Sequence, residues 1–240
     1  MIRYQHYVDD VEAASRYTRG LEELVRTATG EAQRRDVPRG RSGGPAGNAR
    51  LTSWTGLALL AMLAVEGFTL LSLGSMLGLH IWVGALLVPP VLLKSATTGW
   101  RILRYYTGDP GYVSAGPPPM LLRLLGPLVI ATSFAVLGTG LALVLMGSDS
   151  FRSVGGLPVS MLTGHKASFV LWFAVMTLHV LARTVPALRH VSARASGEPQ
   201  TQGGPARLGV LAAVMVAAVV FAVVVLNAST FWTSTWRQFH

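Results

Sequence analysis

The stretch GHKASFVLWFAVMTLHVLARTV, residues 164–185, is long and apolar enough to cross a bilayer, yet it contains two histidines, His165 and His179. They are 14 residues apart, about 40° short of four full helical turns, so both rings leave one helix face roughly 21 Å apart along the axis. A polar ring in hydrocarbon is costly and by default marks a functional site. The stretch therefore predicts a membrane-spanning helix with two functional histidines. Two packing residues at a helix interface are the alternative.

The composition predicts that the whole chain is built around such helices. Of its 240 residues, 51% are hydrophobic and 13% are charged, and there is no cysteine. The apolar residues fall in five blocks, which predicts an all-α integral membrane protein with five transmembrane helices. The predicted spans cover about residues 51–73, 79–103, 120–146, 165–188 and 208–226. The lack of cysteine excludes disulfides, iron–sulfur clusters and covalently attached c-type heme.

Three regions follow from this pattern. Residues 1–50 form a polar segment, with a weak helical stripe around 8–26 and then a linker rich in Arg, Gly and Pro. Residues 51–190 contain four spans and are predicted to form a four-helix membrane domain. Residues 191–240 contain a basic loop, a fifth span and an aromatic tail.

The net charge of +9 reflects loop arginines rather than a nucleic-acid interface. Arginines are concentrated before span one, between spans two and three, and between spans four and five. The positive-inside rule then predicts a cytoplasmic N-terminus and an external C-terminus. Only Lys94 and Lys166 are lysines among the 20 basic residues, a bias typical of a GC-rich bacterial genome. The predicted location is the bacterial cytoplasmic membrane.

Spans two and four carry matching polar ladders. His80 opens span two as His165 opens span four, and Lys94 follows His80 by the same 14 residues that separate His165 from His179. If the two helices face each other, His80 meets His165 at the outer level and Lys94 meets His179 at the inner level. A heme iron takes axial ligands from both sides of its ring, and facing helices supply them. The ladders predict one or two noncovalent b-type hemes with the three histidines as iron ligands.

Four further residues are candidates for cofactor binding. Lys94 could ligate iron as a neutral amine, donate a hydrogen bond to a heme propionate or a quinone, or extend to the interface. Glu66 is the only acid in a predicted span, and it is either a proton acceptor for quinol oxidation or a protonated or hydrogen-bonded interface residue. Arg101 and Arg183 could pair with heme propionates or act only as topology signals.

The H-x13-H pair, together with the histidine of span two, resembles the diheme b-type cytochrome subunits of bacterial formate dehydrogenases and nickel–iron hydrogenases. The resemblance covers about residues 51–190. The stretch LHIWVGALLVPPVLLKSATTGWRILRYYTGDP, residues 79–110, also resembles actinobacterial membrane proteins labelled cytochrome b-like. The resemblance implies that His80 and His165 share the outer heme, that His179 holds the inner one, and that electrons pass between quinone and a partner subunit.

The chain departs from that family at the inner heme. The family has a further histidine near the cytoplasmic start of span one, where this chain reads RLTSWTGLALL, residues 50–60. Either Lys94 replaces it, or the inner iron is five-coordinate, or only the outer heme exists. The fifth span is an addition to the family's four.

The combined interpretation is a membrane-embedded electron-transfer subunit of an oxidoreductase rather than a complete enzyme. Its expected partners are the lipid bilayer, quinone and a redox-enzyme subunit, and no nucleic acid is expected. Two other functions stay open. One is a noncatalytic membrane anchor or assembly protein, and the other is a small transporter in which Glu66 and Lys94 line a polar path.

Overall fold

The protein is described from a computed structural model, and the residues that it describes are almost entirely helical. The structure describes residues 15, 18–23, 25–26, 43–114, 116, 120–147, 151–154, 157–192 and 203–229. The helices are α1 (Gly44–Thr69), α2 (Leu73–Tyr106), α3 (Pro110–Val113), α4 (Met120–Met146), α5 (Met161–Ser192) and α6 (Gly204–Ala228). A single 3-10 turn, Leu70–Ser72, joins α1 to α2. Within the predicted N-terminal stripe, the residues that the structure describes are helical. The predicted linker, residues 38–50, lies outside the described residues as far as residue 42, but its second half is part of α1, which begins at Gly44 rather than near residue 51. The tail after residue 229 lies outside the described residues.

Four helical stretches are long and apolar enough to cross a membrane. They are Gly44–Tyr106, Arg123–Met146, Met161–Val185 and Gly204–Ala228. Large apolar side chains on these helices face outward, among them Leu145, Val170 and Leu181, which are 78%, 66% and 69% exposed. Such a surface would cause aggregation in water, whereas hydrocarbon covers it without cost. The chain is therefore a multi-pass, helical membrane protein, as the composition predicts.

The first of these stretches folds back on itself. It has 63 residues, and a straight helix of that length would extend about 95 Å. The backbone leaves helical geometry at Ser72, with φ −147° and ψ 59°, so α1 and α2 run antiparallel. Two hydrogen bonds of 3.0 Å tie the far ends of this hairpin together, from Lys94 Nζ to the Thr52 oxygen and from Asn48 Nδ2 to the Thr97 oxygen.

The last helix is part of the same packed bundle as α2. Buried apolar side chains of α2, α4 and α6 form one cluster, consisting of Ile81, Ala85, Leu86, Val144, Ala218, Ala222 and Val225. Ala218 and Ala222 have no exposed surface, and small residues of this kind let two helix backbones approach closely in lipid. The predicted domain boundary near residue 190 therefore does not separate α6 from the helices it packs on.

The connection between α4 and α5 differs from the predicted loop. It contains an antiparallel hairpin of β1 (Phe151–Val154) and β2 (Leu157–Ser160), with Phe151 opposite Ser160 and Val154 opposite Leu157. The all-α prediction therefore holds for the membrane helices but not for this connection, because backbone groups outside the bilayer can pair with a neighbouring strand.

Asp109 stabilises the turn that follows α2. Gly108 takes a left-handed conformation, φ 79°, and Asp109 caps the short helix α3 by accepting a hydrogen bond of 2.8 Å from Gly111 N–H. Its carboxylate also pairs with Arg104. Partial burial raises the pKa of Asp109, but the bond from Gly111 and the charge and hydrogen bond of Arg104 outweigh it, so the pKa lies below its ordinary value.

Candidate functional site

Two histidine rings meet between α2 and α5. The ring centroids of His80 and His165 are 6.4 Å apart, and the ring planes are inclined by 72°. Both residues are half-buried. The structure thus places together the two histidines that the matching ladders predict to share one level.

The hydrogen-bond partners of His80 fix its tautomer. Its Nδ1 atom lies 2.8 Å from Glu66 Oε1 and 3.1 Å from Thr69 Oγ1. Thr69 already donates its single hydroxyl hydrogen to the backbone oxygen of Glu66 at 2.6 Å, so towards the ring it can only accept. With Glu66 ionised, both oxygens accept from Nδ1, which then carries a proton, and in the neutral ring Nε2 keeps its lone pair.

His165 is held in the same tautomer by different chemistry. Its Nδ1 atom lies 3.0 Å from Thr139 Oγ1, and Thr139 donates its hydrogen at 2.7 Å to the backbone oxygen of Ala135. The hydroxyl can therefore only accept from the ring. Ser168 Oγ lies 3.0 Å from Thr139 Oγ1 and completes this hydroxyl pair. Nε2 of His165 is again the nitrogen with the lone pair.

Glycines make room for both arrangements. A Cβ atom at Gly140, on α4, would lie 3.2 Å from Cε1 of His165, closer than side chains ordinarily approach. A Cβ atom at Gly84, on α2, would lie 3.4 Å from Glu66 Oε1, at the limit of ordinary contact. The ring of His165 therefore packs directly against the backbone of α4.

Apolar cavities flank the histidine pair. One has a volume of about 190 Å³ and the other about 150 Å³, and His80 and His165 line both. The smaller lies next to Gly84 and Gly140. The larger is mainly apolar, and its ionisable lining residues are Glu66, His80, Lys94, His165, His179 and Arg183. The structure thus brings the three predicted ligand histidines, the buried acid and two of the predicted basic residues to one cavity.

The inner end of the larger cavity is basic. Lys94 and Arg183 line it together with His179. Lys94 Nζ donates to the backbone oxygen of Thr52 at 3.0 Å, and a Cβ atom at Gly56 would lie only 2.7 Å from that nitrogen. Lys94 therefore bonds to the backbone of α1 here.

Arg101 lies apart from this site. It lines neither cavity, and its Nη2 atom is 3.4 Å from the backbone oxygen of Pro45 at the start of α1. Of the predicted cofactor-binding residues, the structure brings Glu66, Lys94 and Arg183 to the cavity but not Arg101.

Three hydroxyl residues of the site are absent from the sequence-based candidates. Thr69, Thr139 and Ser168 orient the histidines, yet Ser and Thr in apolar helices commonly bond to their own helix backbone and attract no notice. Thr139 follows Ala135 by four residues and bonds back to it, which is the ordinary pattern. Its contact with His165 depends on where α5 packs, which a sequence pattern does not reveal.

The arrangement fits a metal that takes two imidazoles from the protein. A metal–imidazole bond is about 2 Å long and the ring centroid lies about 1.2 Å behind the nitrogen, so two imidazoles that share a metal have centroids no more than about 6.4 Å apart. The separation of His80 and His165 is 6.4 Å. Within the described part of the chain, no group of three or more His, Cys, Asp and Glu could hold a metal ion by itself. Two histidines flanked by apolar space suit an iron whose other ligands come from a macrocycle.

Comparison of the chain with protein-family profiles, with curated proteins and with solved structures finds no match. The resemblance to diheme b-type cytochromes therefore stays a prediction, and the geometry of the site has to carry any functional assignment.

Proposed function

We propose that the chain is a membrane-embedded electron-transfer protein that binds a noncovalent b-type heme between His80 and His165 and passes electrons between the quinone pool and a redox partner subunit. One observation carries the proposal. Two imidazoles from facing helices lie 6.4 Å apart, and each is anchored through Nδ1 so that Nε2 is available. Histidines that ligate metals are typically held through the other ring nitrogen in this way.

The heme, when bound, supplies one-electron redox chemistry, and the protein supplies ligands, orientation and a dry environment. Thr139 holds the ring of His165, while Glu66 and Thr69 hold that of His80. Apolar side chains of the two cavities keep water from the site. Arg183 is the cavity residue suited to pair with an anionic group at the inner end.

Glu66 is the residue suited to accept a proton during quinol oxidation. Its Oε1 atom holds Nδ1 of His80. Its Oε2 atom is buried and has no hydrogen-bond partner among the described residues, and the side chain lines the larger cavity. A quinol hydroxyl in that cavity could donate a hydrogen bond to Oε2, beside the side chain of His80.

The proposal includes five membrane crossings with a cytoplasmic N-terminus. α1 and α2 have 26 and 34 residues, about 39 Å and 51 Å of helix, and each exceeds the hydrocarbon core of about 30 Å. Their antiparallel arrangement therefore supports one crossing each. The arginine distribution supports the orientation.

His179 and Lys94 lie at a second, inner depth in the membrane. A heme bound there, in addition to the one between His80 and His165, is the alternative to a single heme. Ligation by Lys94 would require its amine to leave the Thr52 oxygen. The proposal therefore rests on the pair His80 and His165 alone.

The decisive experiment is spectroscopic. Protein purified in detergent from cells supplied with heme precursor should be red, should give a b-type pyridine hemochrome, and should lose the heme of the pair in His80→Ala and in His165→Ala. His190→Ala is the matched control, because this histidine lies near the C-terminal end of α5 beyond the apolar span. A colourless wild-type protein that is folded and membrane-inserted would contradict the proposal.

A second candidate function is a small transporter. It is favoured by one observation, namely that Glu66, Lys94 and His179 all line a single cavity between the helices. A transporter would be colourless, and proton-coupled uptake into liposomes would be lost in Glu66→Gln. Red protein without proton flux would exclude it.

A further inference from the structure

The two histidines of the proposed heme site are held by partners of unlike charge. His80 is bonded to the carboxylate of Glu66 at 2.8 Å, whereas His165 is bonded to the hydroxyl of Thr139 at 3.0 Å. We propose, on the basis of the heme assignment above, that Glu66 is a positioning residue that sets the reduction potential of the bound heme through His80. The carboxylate favours the oxidised state, and the hydroxyl at His165 is a neutral anchor.

The bond from His80 to Glu66 has a defined direction. Thr69 has used its hydrogen on the backbone of Glu66, so its oxygen can only accept from Nδ1, and an ionised Glu66 also accepts, in which case the ring donates. A carboxylate that accepts this N–H draws the proton away from the ring and increases electron density at Nε2. A more basic ligand nitrogen stabilises the higher oxidation state of a metal. Hydrogen bonds to a ligating histidine are one of the ways in which a protein tunes the reduction potential of its heme.

The position of Glu66 is fixed by local structure. It lies in the last turn of α1, four residues before the 3-10 turn, and this turn brings α2 back with His80 at its side. Thr69 ties the backbone of Glu66 to the same ring nitrogen. Oε1 lies beside Gly84, one helical turn after His80, 3.4 Å from the position that a Cβ atom would take there. The carboxylate is thus placed at the ring by the 3-10 turn and by Thr69.

The charge of Glu66 also favours the oxidised heme. The side chain of Glu66 is 16% exposed, and its Oε2 atom is buried without a hydrogen-bond partner among the described residues. A buried carboxylate needs a nearby positive charge. Among the residues that line the cavity, Lys94 is about 21 Å from the level of His80 along α2, which is too far to serve. An oxidised heme core with two neutral imidazoles carries one positive charge and a reduced core carries none, so Glu66 interacts more favourably with the oxidised form.

His165 provides the internal comparison. Thr139 holds the same ring nitrogen at nearly the same distance, but its hydroxyl has no charge and has already donated to the backbone of α4. Removing that hydroxyl would change the orientation of the His165 ring without removing a charge. The two anchors therefore separate the effect of a hydrogen bond from that of a carboxylate.

The test is a redox titration followed in the visible spectrum for the wild type, Glu66→Gln and Thr139→Val. Gln keeps an acceptor oxygen of similar shape, so Glu66→Gln should retain heme. Its reduction equilibrium should shift at least tenfold towards the reduced form, a rise of about 59 mV for one electron. Thr139→Val should shift the equilibrium several-fold less. Heme-loaded Glu66→Gln with the wild-type potential would overturn the inference while leaving the heme assignment intact, and so would an equal shift in Thr139→Val.

A further variant covers the case in which Glu66→Gln loses its heme. Glu66→Asp keeps the negative charge on a shorter side chain. Heme retained in Glu66→Asp but lost in Glu66→Gln would show that the charge is required and would support the inference. Heme lost from both would show that side-chain shape decides, and the role assigned to charge would be wrong.

Discussion

The amine of Lys94 donates a hydrogen bond of 3.0 Å to the backbone oxygen of Thr52, and it reaches that oxygen through a space that Gly56 leaves open. A charged amine within an apolar helix needs acceptors, and a carbonyl of the neighbouring helix is one. The bond joins two residues 42 positions apart in the sequence and ties α2 to α1 near their cytoplasmic ends in the proposed orientation. It therefore contributes both to the hairpin and to the shape of the inner end of the cavity.

The first prediction concerns the space next to Lys94. In Gly56→Ala the new methyl would lie 2.7 Å from Nζ, so the flexible lysine must move and its bond to Thr52 is lost. Relative to Gly67→Ala, which shares the gain in helix propensity, we expect the free energy of unfolding in detergent, measured by thermal denaturation, to be lower by about 1 kcal/mol. Gly67→Ala in the same helix is the control, because nothing lies within 4 Å of its Cβ position. Equal effects at the two positions would contradict the assigned contact.

The second prediction concerns the ring of His165. In Gly140→Ala the new Cβ would lie 3.2 Å from Cε1 of that ring, so the ring or α4 must yield by a few tenths of an ångström. We expect weaker heme retention during purification and a changed low-temperature electron paramagnetic resonance spectrum. Gly138→Ala has no neighbour within 4 Å and should resemble the wild type. A normal spectrum for Gly140→Ala would mean that His165 is not a ligand in this orientation.

The third prediction separates one heme from two. We expect His179→Ala to retain the heme held by His80 and His165, because the two levels are about 21 Å apart along the helix. If the wild type carries two hemes per chain, His179→Ala should lose one of them. If Lys94 is also a ligand of that inner heme, Lys94→Met should lose it or change its ligand spectrum. Lys94→Arg should then fail to restore it, since guanidinium has no lone pair for iron.

An unchanged inner-heme signal in Lys94→Arg would exclude ligation by lysine. If the wild type carries a single heme that His179→Ala does not affect, the cofactor is confined to the outer level. The measurements are the pyridine hemochrome count and the paramagnetic resonance spectrum of each variant.

The fourth prediction concerns orientation. The chain contains no cysteine, so single cysteines at Ser114 and Ser234 can be labelled selectively. An impermeant thiol reagent applied to intact cells should label position 234 and not position 114, because the arginine distribution places the connection after α2 in the cytoplasm. Labelling at 114 alone would show that the orientation is inverted.

The fifth prediction concerns Asp109 and pH. Because its pKa in the folded state lies below the ordinary value of about 3.9, its stabilising contribution is complete above that value and is lost as the pH falls through the lowered pKa. At pH 7, Asp109→Ala should lower the thermal midpoint more than Asp109→Asn, since Asn still caps α3 but cannot pair with Arg104. The advantage of the wild type over Asp109→Ala should shrink at pH 3, and a constant difference would contradict this role.

The relative depth of the polar residues along their helices could be predicted from their separation in the sequence alone. His80 and Lys94 share one helix face, and His165 and His179 share another, because 14 residues are close to four turns. Facing helices then bring the first members together, and the structure has His80 and His165 in this relation. The apolar blocks likewise identify the long helices, and Met120–Met146 has the predicted bounds.

The partners of these residues could not be predicted, because they depend on how helices pack. Glu66 reaches His80 only because the chain turns back at Ser72. Thr139 reaches His165 across 26 residues, through the packing of α4 on α5. Arg101 had the same signal as Arg183, a basic residue at a helix end, yet the two side chains lie in different places.

The strand pair β1–β2 was missed for a different reason. Its residues, FRSV and LPVS, are short, and the proline in the second strand weakens the pattern. The Gly155–Gly156 pair between them is a hairpin signal that the length of the connection obscured.

The packing of α6 on α2 has a consequence for biogenesis. Translation reaches α6 after α2, yet Ala218 and Ala222 of α6 pack against the segment of α2 that follows His80. Until α6 has left the translocation machinery and packed, the helical turn that bears His80 lacks one of its neighbours. If the proposed heme binds beside His80, its binding should therefore follow the insertion of α6, and colour that develops in the membrane would report a chain synthesised through α6.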